Sequence, residues 1–327
     1  MSVLEYSIII LYSAAILILF IFALAQLNLL LNYLSFKKNK AKQNKVDLAQ
    51  LPNGYPLVTI QLPVYNELYV MERLLENIGR IDYPKEKLEI QVLDDSTDES
   101  YDLNKGYVQQ IEEQGFDVKH LHRTDRVAFK AGALKEGLAS ARGDFIAIFD
   151  ADFLPESDWL VQTLPHFYHE NIGAIQTRWG HLNKNHSLLT KIQAFALDAH
   201  FTLEQVGRNS KGHFINFNGT AGIWRKECIL DAGNWEGDTL TEDLDLSYRA
   251  QFKGWEFVYL EDVETPAELP VAISAAKSQQ FRWNKGGAEN FRKMIKRIIR
   301  SQHMSFTTKV HAMLHLLNST MFVNAFI

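Results

Sequence analysis

Apolar positions are unevenly spread along the chain. They run almost unbroken at the N-terminus, alternate with helical segments through the middle, and return as a stripe and a run near the C-terminus. No charged residue occurs from Tyr6 to Phe36, a stretch longer than the ~20 apolar residues a spanning helix needs. No Lys or Arg precedes it, and it is too long for a cleaved signal peptide. Residues 1–36 are therefore expected to form a transmembrane helix. Lys37, Lys38, Lys40, Lys42 and Lys45 follow, whereas Glu5 is the only charge before the span. This bias puts the N-terminus outside and everything after Lys37 in the cytoplasm.

Residues 37–55 read as a basic, polar linker. Beyond them, Leu57–Leu62, Leu88–Leu93, Val118–Leu121 and Phe145–Phe149 read as strands. Leu68–Ile81, Tyr101–Gln114 and Val127–Ala141 read as helices. Strand–helix–strand repetition predicts an α/β fold, a mostly parallel sheet with helices on both faces, over 56–285. In such sheets ligands gather at the carboxyl ends of the strands, and Asp94, Asp95, Asp150 and Asp152 stand there.

Phe291, Met294, Ile295, Ile298 and Ile299 recur at helical spacing, with Arg292, Lys293, Lys296, Arg297 and Arg300 on the other face. That pattern predicts an amphipathic interfacial helix over 286–309. The apolar run in 310–327 reads as the start of a C-terminal transmembrane region, with further spans expected downstream. Flanking transmembrane helices make this an integral membrane protein with membrane lipid as a partner.

Composition narrows the function. The 327 residues carry a net charge of -5 with a pI near 6.1, so no nucleic-acid partner is expected. Cys228 is the only cysteine, which excludes an intrachain disulfide and a cysteine-rich zinc cluster.

Three constellations carry chemistry. Asp150 and Asp152, one residue apart at a strand end, suit a divalent cation, Mg²⁺ or Mn²⁺, that takes further ligands from substrate phosphates; a capped loop would use the same residues. Glu242 and Asp243 follow Thr241 at the start of a helix. One of them could act as a general base, while Thr241 would make an ordinary N-cap. Gln279, Arg282 and Trp283 combine an amide, a guanidinium and an indole, suited to a diphosphate and a sugar face. Lys130 is a further candidate phosphate contact.

In order, the chain carries LPVYNE (62–67), VLDDSTD (92–98), FKAGALKEGL (129–138), FDADF (149–153), FNGTAGIWR (217–225), TEDLDLSYRA (241–250) and QQFRW (279–283). This series resembles family 2 glycosyltransferases of the cellulose synthase-like group, especially the mannan and glucan synthase branches and their bacterial relatives. The resemblance covers roughly 57–300. It implies a GT-A nucleotide-sugar-binding fold and a plasma, inner or Golgi-type membrane, with the catalytic domain in the cytoplasm. By that likeness Tyr65, Glu67 and Asp95 would hold the nucleoside, Asp150 would face the nucleotide sugar, and Asp152 would ligate the metal. Lys130 would lie near the donor phosphates. Asp243 would be the catalytic base with Glu242 beside it. Gln279, Arg282 and Trp283 would line the acceptor and diphosphate end. Asn218, Gly219 and Thr220, in a loop running to Gly222, would border the acceptor sugar.

The expected reaction is inverting transfer of a hexose from GDP-mannose or UDP-glucose to a growing β-linked polysaccharide, the glycan acceptor, with processive elongation expected. A non-processive transferase acting on a ceramide or polyprenyl-phosphate lipid would share fold and base. A scaffold that had lost catalysis would be expected to lose its acidic residues, and these remain. A phosphohydrolase would need neither an acceptor site nor Trp283.

Overall fold

The computed structural model describes residues 2–39 and 54–325. The linker from 40 to 53 and the last residues of 310–327 lie outside them. Helix α1 (Val3–Asn39) takes in the predicted span and its first basic residues. It is long and apolar enough to cross a membrane.

The strands are β1 (Val58–Val64), β2 (Leu88–Asp94), β3 (Asp117–His122), β4 (Phe145–Ile148), β5 (Ile172–His181), β6 (Gly222–Arg225) and β7 (Glu256–Ala267). They form one sheet in the order β3-β2-β1-β4-β6-β5-β7, in which β6 runs against both of its neighbours. The other pairs are parallel. The four strands expected from the apolar runs are present.

Alternation along β4 shows how the sheet feeds two cores. Ala147 points into one with α2 (Met71–Ile78), α3 (Ser100–Glu113) and α5 (Trp159–Thr163). Ile146 and Ile148 point into the other with α4 (Phe129–Ser140), α8 (Lys226–Asp231) and α9 (Glu242–Phe252). Helix α6 (Leu188–Ala199) continues through a looser π turn, His200–Gln205, into α7 (Val206–Asn209). There it meets α1: a side chain at Gly207 would run into the Leu29 carbonyl oxygen at 2.6 Å.

Helix α10 (Ile273–Arg300) is continuous, so the division drawn at 285/286 falls inside one helix. Its apolar stripe is largely covered by protein. Met294 and Ile298 pack with Leu244 and Tyr248 of α9 and with Ala312 and Leu316 of α11 (Phe306–Leu316), while Ile299 stays 60% exposed. The same spacing that suits a lipid surface suits a neighbouring helix. Between 310 and 325 the chain forms the end of α11 and the short α12 (Thr320–Ala325).

Candidate active site

The carboxyl ends of β1, β2 and β4 open into one cavity of about 1110 Å³. At the end of β1, Asn66 adopts a left-handed backbone (φ 55°). Its N–H donates to Ser96 Oγ (3.0 Å) and its Oδ1 accepts from the Thr97 N–H (2.9 Å). This lacing of the β1 and β2 ends sets Tyr65 and Glu67 on the cavity wall.

The Asp94–Asp95 pair divides its labour. Asp94 is fully buried, and burial works against its charge. His120, Ser96 and Asn104 outweigh that with hydrogen bonds and hold its pKa down at about 2. It is a structural anchor. Asp95 reaches the cavity and is gripped by the Arg123 fork, Nε to Oδ1 at 2.7 Å and Nη2 to Oδ2 at 2.5 Å. Arg126 lies over the Tyr65 ring, 3.2 Å from its centre.

After β4 the chain turns through Asp150 and Asp152. The Asp150 N–H donates to Thr220 Oγ1 (2.8 Å), and its carboxylate pairs with Lys130. Lys130 also donates to the Gly219 carbonyl (2.9 Å). It enters from α4 after two residues with positive φ, Ala128 and Phe129, backbone strain of the kind that gathers at functional sites. Burial disfavours the Lys130 charge, but Asp150, Glu242 and Asp243 overcome this and its pKa is raised. Burial, then the charge of Asp150, then that of Glu67 push Asp152 up to about 7. Burial and Asp150 also raise Glu67. Carboxylates crowded in this way fit a divalent cation, which relieves the repulsion.

Glu242 and Asp243 open α9 near enough to Lys130 for their charges to act on it. Thr241 occupies the N-cap position but makes no side-chain cap; its hydroxyl accepts from Asn290 Nδ2 (3.0 Å) instead. Burial first, then the charge of Glu242, push Asp243 up to about 7. Gly219 (φ 81°) lies against it, since a Cβ there would sit 3.2 Å from Asp243 Oδ2. Gln279, Arg282 and Trp283 complete the cavity from the first turns of α10.

Of the predicted residues, Tyr65, Glu67, Asp95, Lys130, Asp150, Asp152, Asn218, Gly219, Glu242, Asp243, Gln279, Arg282 and Trp283 all line this cavity. Thr220 does not. It is 1% exposed and turned back to hold the Asp150 N–H, so its place is behind the wall. Sequence reasoning missed Arg123, Arg126, Trp179 and His181. The arginines of HRTDR (122–126), one strand beyond the Asp pair, carried a signal of charge complementarity. A second acidic group, Glu236, Asp238 and Asp245, is closed around the Lys293 ammonium at 2.7–2.8 Å, so a lysine already neutralises it.

A mixed α/β sheet with acidic pairs at its strand ends around one cavity defines a GT-A fold of the nucleotide-sugar-binding type. Residues 56–286 match the family model described as "Glycosyltransferase like family 2". The chain belongs to that family. It is 43% identical over 263 residues to "Probable glucomannan 4-beta-mannosyltransferase 11" of Oryza sativa subsp. japonica, covering 79% of this chain and 46% of the relative. It is 41% identical over 264 residues to "Glucomannan 4-beta-mannosyltransferase 2" of Arabidopsis thaliana, covering 79% and 49%. The chain thus spans about half the length of these curated relatives. Its fold resembles that of a mannosyltransferase from Pyrobaculum calidifontis in complex with GDP-Man and Mn²⁺, with a TM-score of 0.71, 23% identity, and coverage of 96% of this chain and 84% of that one.

Proposed function

We propose that the chain is a membrane-bound inverting glycosyltransferase that moves mannose from GDP-mannose to the end of a β-linked glycan. The observation that carries this reading is the shared cavity. It gathers Asp150, Asp152 and Lys130 with Asp243, a carboxyl raised to about 7, and Trp283 lines it as well. The names of the plant relatives support mannose over glucose.

In this reading Asp152, with Asp150, holds a divalent cation. Once bound, the ion neutralises charge on the diphosphate leaving group. Lys130 and Arg282 lie in the same cavity and add positive charge there, where it counts most in the transition state. Asp243 takes the proton of the acceptor hydroxyl, which attacks the anomeric carbon from the face opposite the diphosphate. Inversion needs no covalent enzyme intermediate, and burial pushes the thiol of Cys228 up, away from nucleophilic use. Trp283 offers a flat face for a sugar ring and supports successive additions.

Membrane attachment is supported by α1 and by an exposed apolar face on α6, where Leu188, Ile192 and Phe195 are 74%, 58% and 79% exposed. The basic residues after α1 support a cytoplasmic catalytic domain.

Membranes carrying the chain, given labelled GDP-mannose or UDP-glucose with Mn²⁺ or Mg²⁺, test the proposal. We expect mannose incorporation into a product cleaved by β-mannanase. Asp152→Ala should abolish both the incorporation and its response to metal. Transfer from neither donor, or equal activity of Asp152→Ala in chelator, would overturn it.

A further inference from the structure

The π turn between α6 and α7 lies between the N-terminal helix and the site loop, and such turns are frequent at functional positions. Two adjacent side chains of this turn face opposite ways. Glu204 accepts from Gln26 Nε2 of α1 (3.1 Å), from His200 Nδ1 (3.0 Å) and from Arg208 Nη2 (3.1 Å). Gln205, fully buried, serves the loop at the cavity. Its Nε2 donates to the Asn216 carbonyl oxygen (3.2 Å), to Asn216 Oδ1 (3.2 Å) and to Asn218 Oδ1 (3.1 Å).

These contacts fix two amide orientations. A backbone carbonyl can only accept, so the end of Gln205 that meets Asn216 is the NH₂. An NH₂ can only donate, so the Asn218 atom facing it is Oδ1. Asn216 Nδ2 donates to the same oxygen at 2.6 Å. Asn218 Nδ2 is thereby left as a buried donor without a partner among the described residues, on a residue that lines the cavity. A buried donor without a partner is costly, and a ligand oxygen reaching it from the cavity would satisfy it. The backbone around it is held as well: the Asn218 N–H donates to Gln176 Oε1 (2.8 Å), and the next carbonyl takes Lys130.

We infer that Gln205 is a positioning residue for sugar transfer: it sets the Asn218 amide so that the NH₂ donates to a hydroxyl oxygen of a sugar in the cavity. The inference rests on the functional reading above. Gln205 touches no substrate itself; it acts through Asn218.

A double-mutant cycle of Gln205→Met and Asn218→Ala tests this, read as kcat/KM for a glycan acceptor with nucleotide affinity measured by calorimetry. Gln205→Met should lower acceptor kcat/KM about tenfold, the equivalent of one misplaced hydrogen bond, and leave nucleotide affinity unchanged. In the Asn218→Ala background it should cause no further loss. Gln205→Glu, which as a carboxylate cannot donate, should fall below Gln205→Met. Additive losses, or a Gln205→Glu variant equal to the parent, would overturn the inference. A parent chain that turned over no nucleotide sugar would instead sink the functional reading. The same cycle on the dissociation constants of glycan oligomers would then decide the role of Gln205.

Discussion

At Asp243, the proposed base, two requirements oppose each other. A base must be ionised to accept a proton, yet burial and the neighbouring charge of Glu242 favour its protonated form and raise its pKa to about 7. A base poised near neutrality is well matched to its task. The acid limb of kcat/KM should therefore fall below pH 7 as Asp243 gains its proton, and a pH profile of transfer checks this. Asp243→Asn should lose at least ~10²-fold in kcat and lose that limb, while nucleotide affinity persists. The stability sign is opposite. A carboxyl raised from an unfolded value near ~3.9 favours the folded state only while protonated, so its contribution is lost as pH rises from about 4 to 7. Asp243→Asn should thus melt higher than the parent at pH 8, a rise that scanning calorimetry reads directly. The carboxylates themselves were legible in the sequence, Asp150 and Asp152 after an apolar run and Glu242 and Asp243 at the start of a helix. Their partners were less so. Arg123 and Gln205 act through one fork and one amide, and spacing along a chain does not report which buried donor meets which acceptor.

Among the elements, α10 does two jobs. Its first turns bring Gln279, Arg282 and Trp283 to the cavity. One turn further, Gly286 and Asn290 lock the segment that carries Glu242 and Asp243. A Cβ at Gly286 would collide with the side chain of Thr241, and Asn290, fully buried, donates to Thr241 Oγ1 and to its carbonyl. Gly286→Ala should push Thr241 and the nearby Asp243 aside. A displacement of this kind costs about ten- to a hundredfold in kcat, with nucleotide affinity retained; steady-state kinetics beside calorimetry checks both. Reading α10 as two pieces followed from its two patterns, a polar, aromatic half and an amphipathic half; Gly286 and Gly287 stand at that division, yet the helix runs through them with Gly286 packed against Thr241. Sheet elements show a similar split. β1, β2 and β4 announce themselves as apolar runs, and β7 alternates buried with less buried positions along EFVYLEDVETPA. β5 is harder to read, because Gln176 and Thr177 are buried in it to satisfy the carbonyls of Thr220 and Ala221.

In the whole molecule, α1 is long and apolar enough to cross a membrane and also packs against the domain that holds the cavity. From Val3 to Gln26 the helix rises about 34 Å at ~1.5 Å per residue, enough for a hydrocarbon core of ~30 Å. Around and beyond that depth it meets the site-bearing part of the chain. Gln26 meets Glu204, Leu29 fills the notch left by Gly207, and Asn28 Oδ1 lies 3.0 Å from His311 Nε2 of α11. The crossing at Gly207 is close because glycine has no side chain to hold the two helices apart. The obstacle to a larger residue is backbone, the Leu29 carbonyl at 2.6 Å, which cannot swing away. Gly207→Leu should therefore separate α1 from α7 at a cost typical of overpacking, about 1–3 kcal/mol, and lower the melting midpoint of the detergent-solubilised chain by several degrees. Gln205 lies two residues before this contact, and its amide orients the site loop. Activity toward the glycan should therefore fall along with stability, and more steeply than nucleotide affinity. A Gly207→Leu chain that melts early yet transfers sugar at the parental rate would show instead that the helix is only a tether, with the site loop held by the sheet alone.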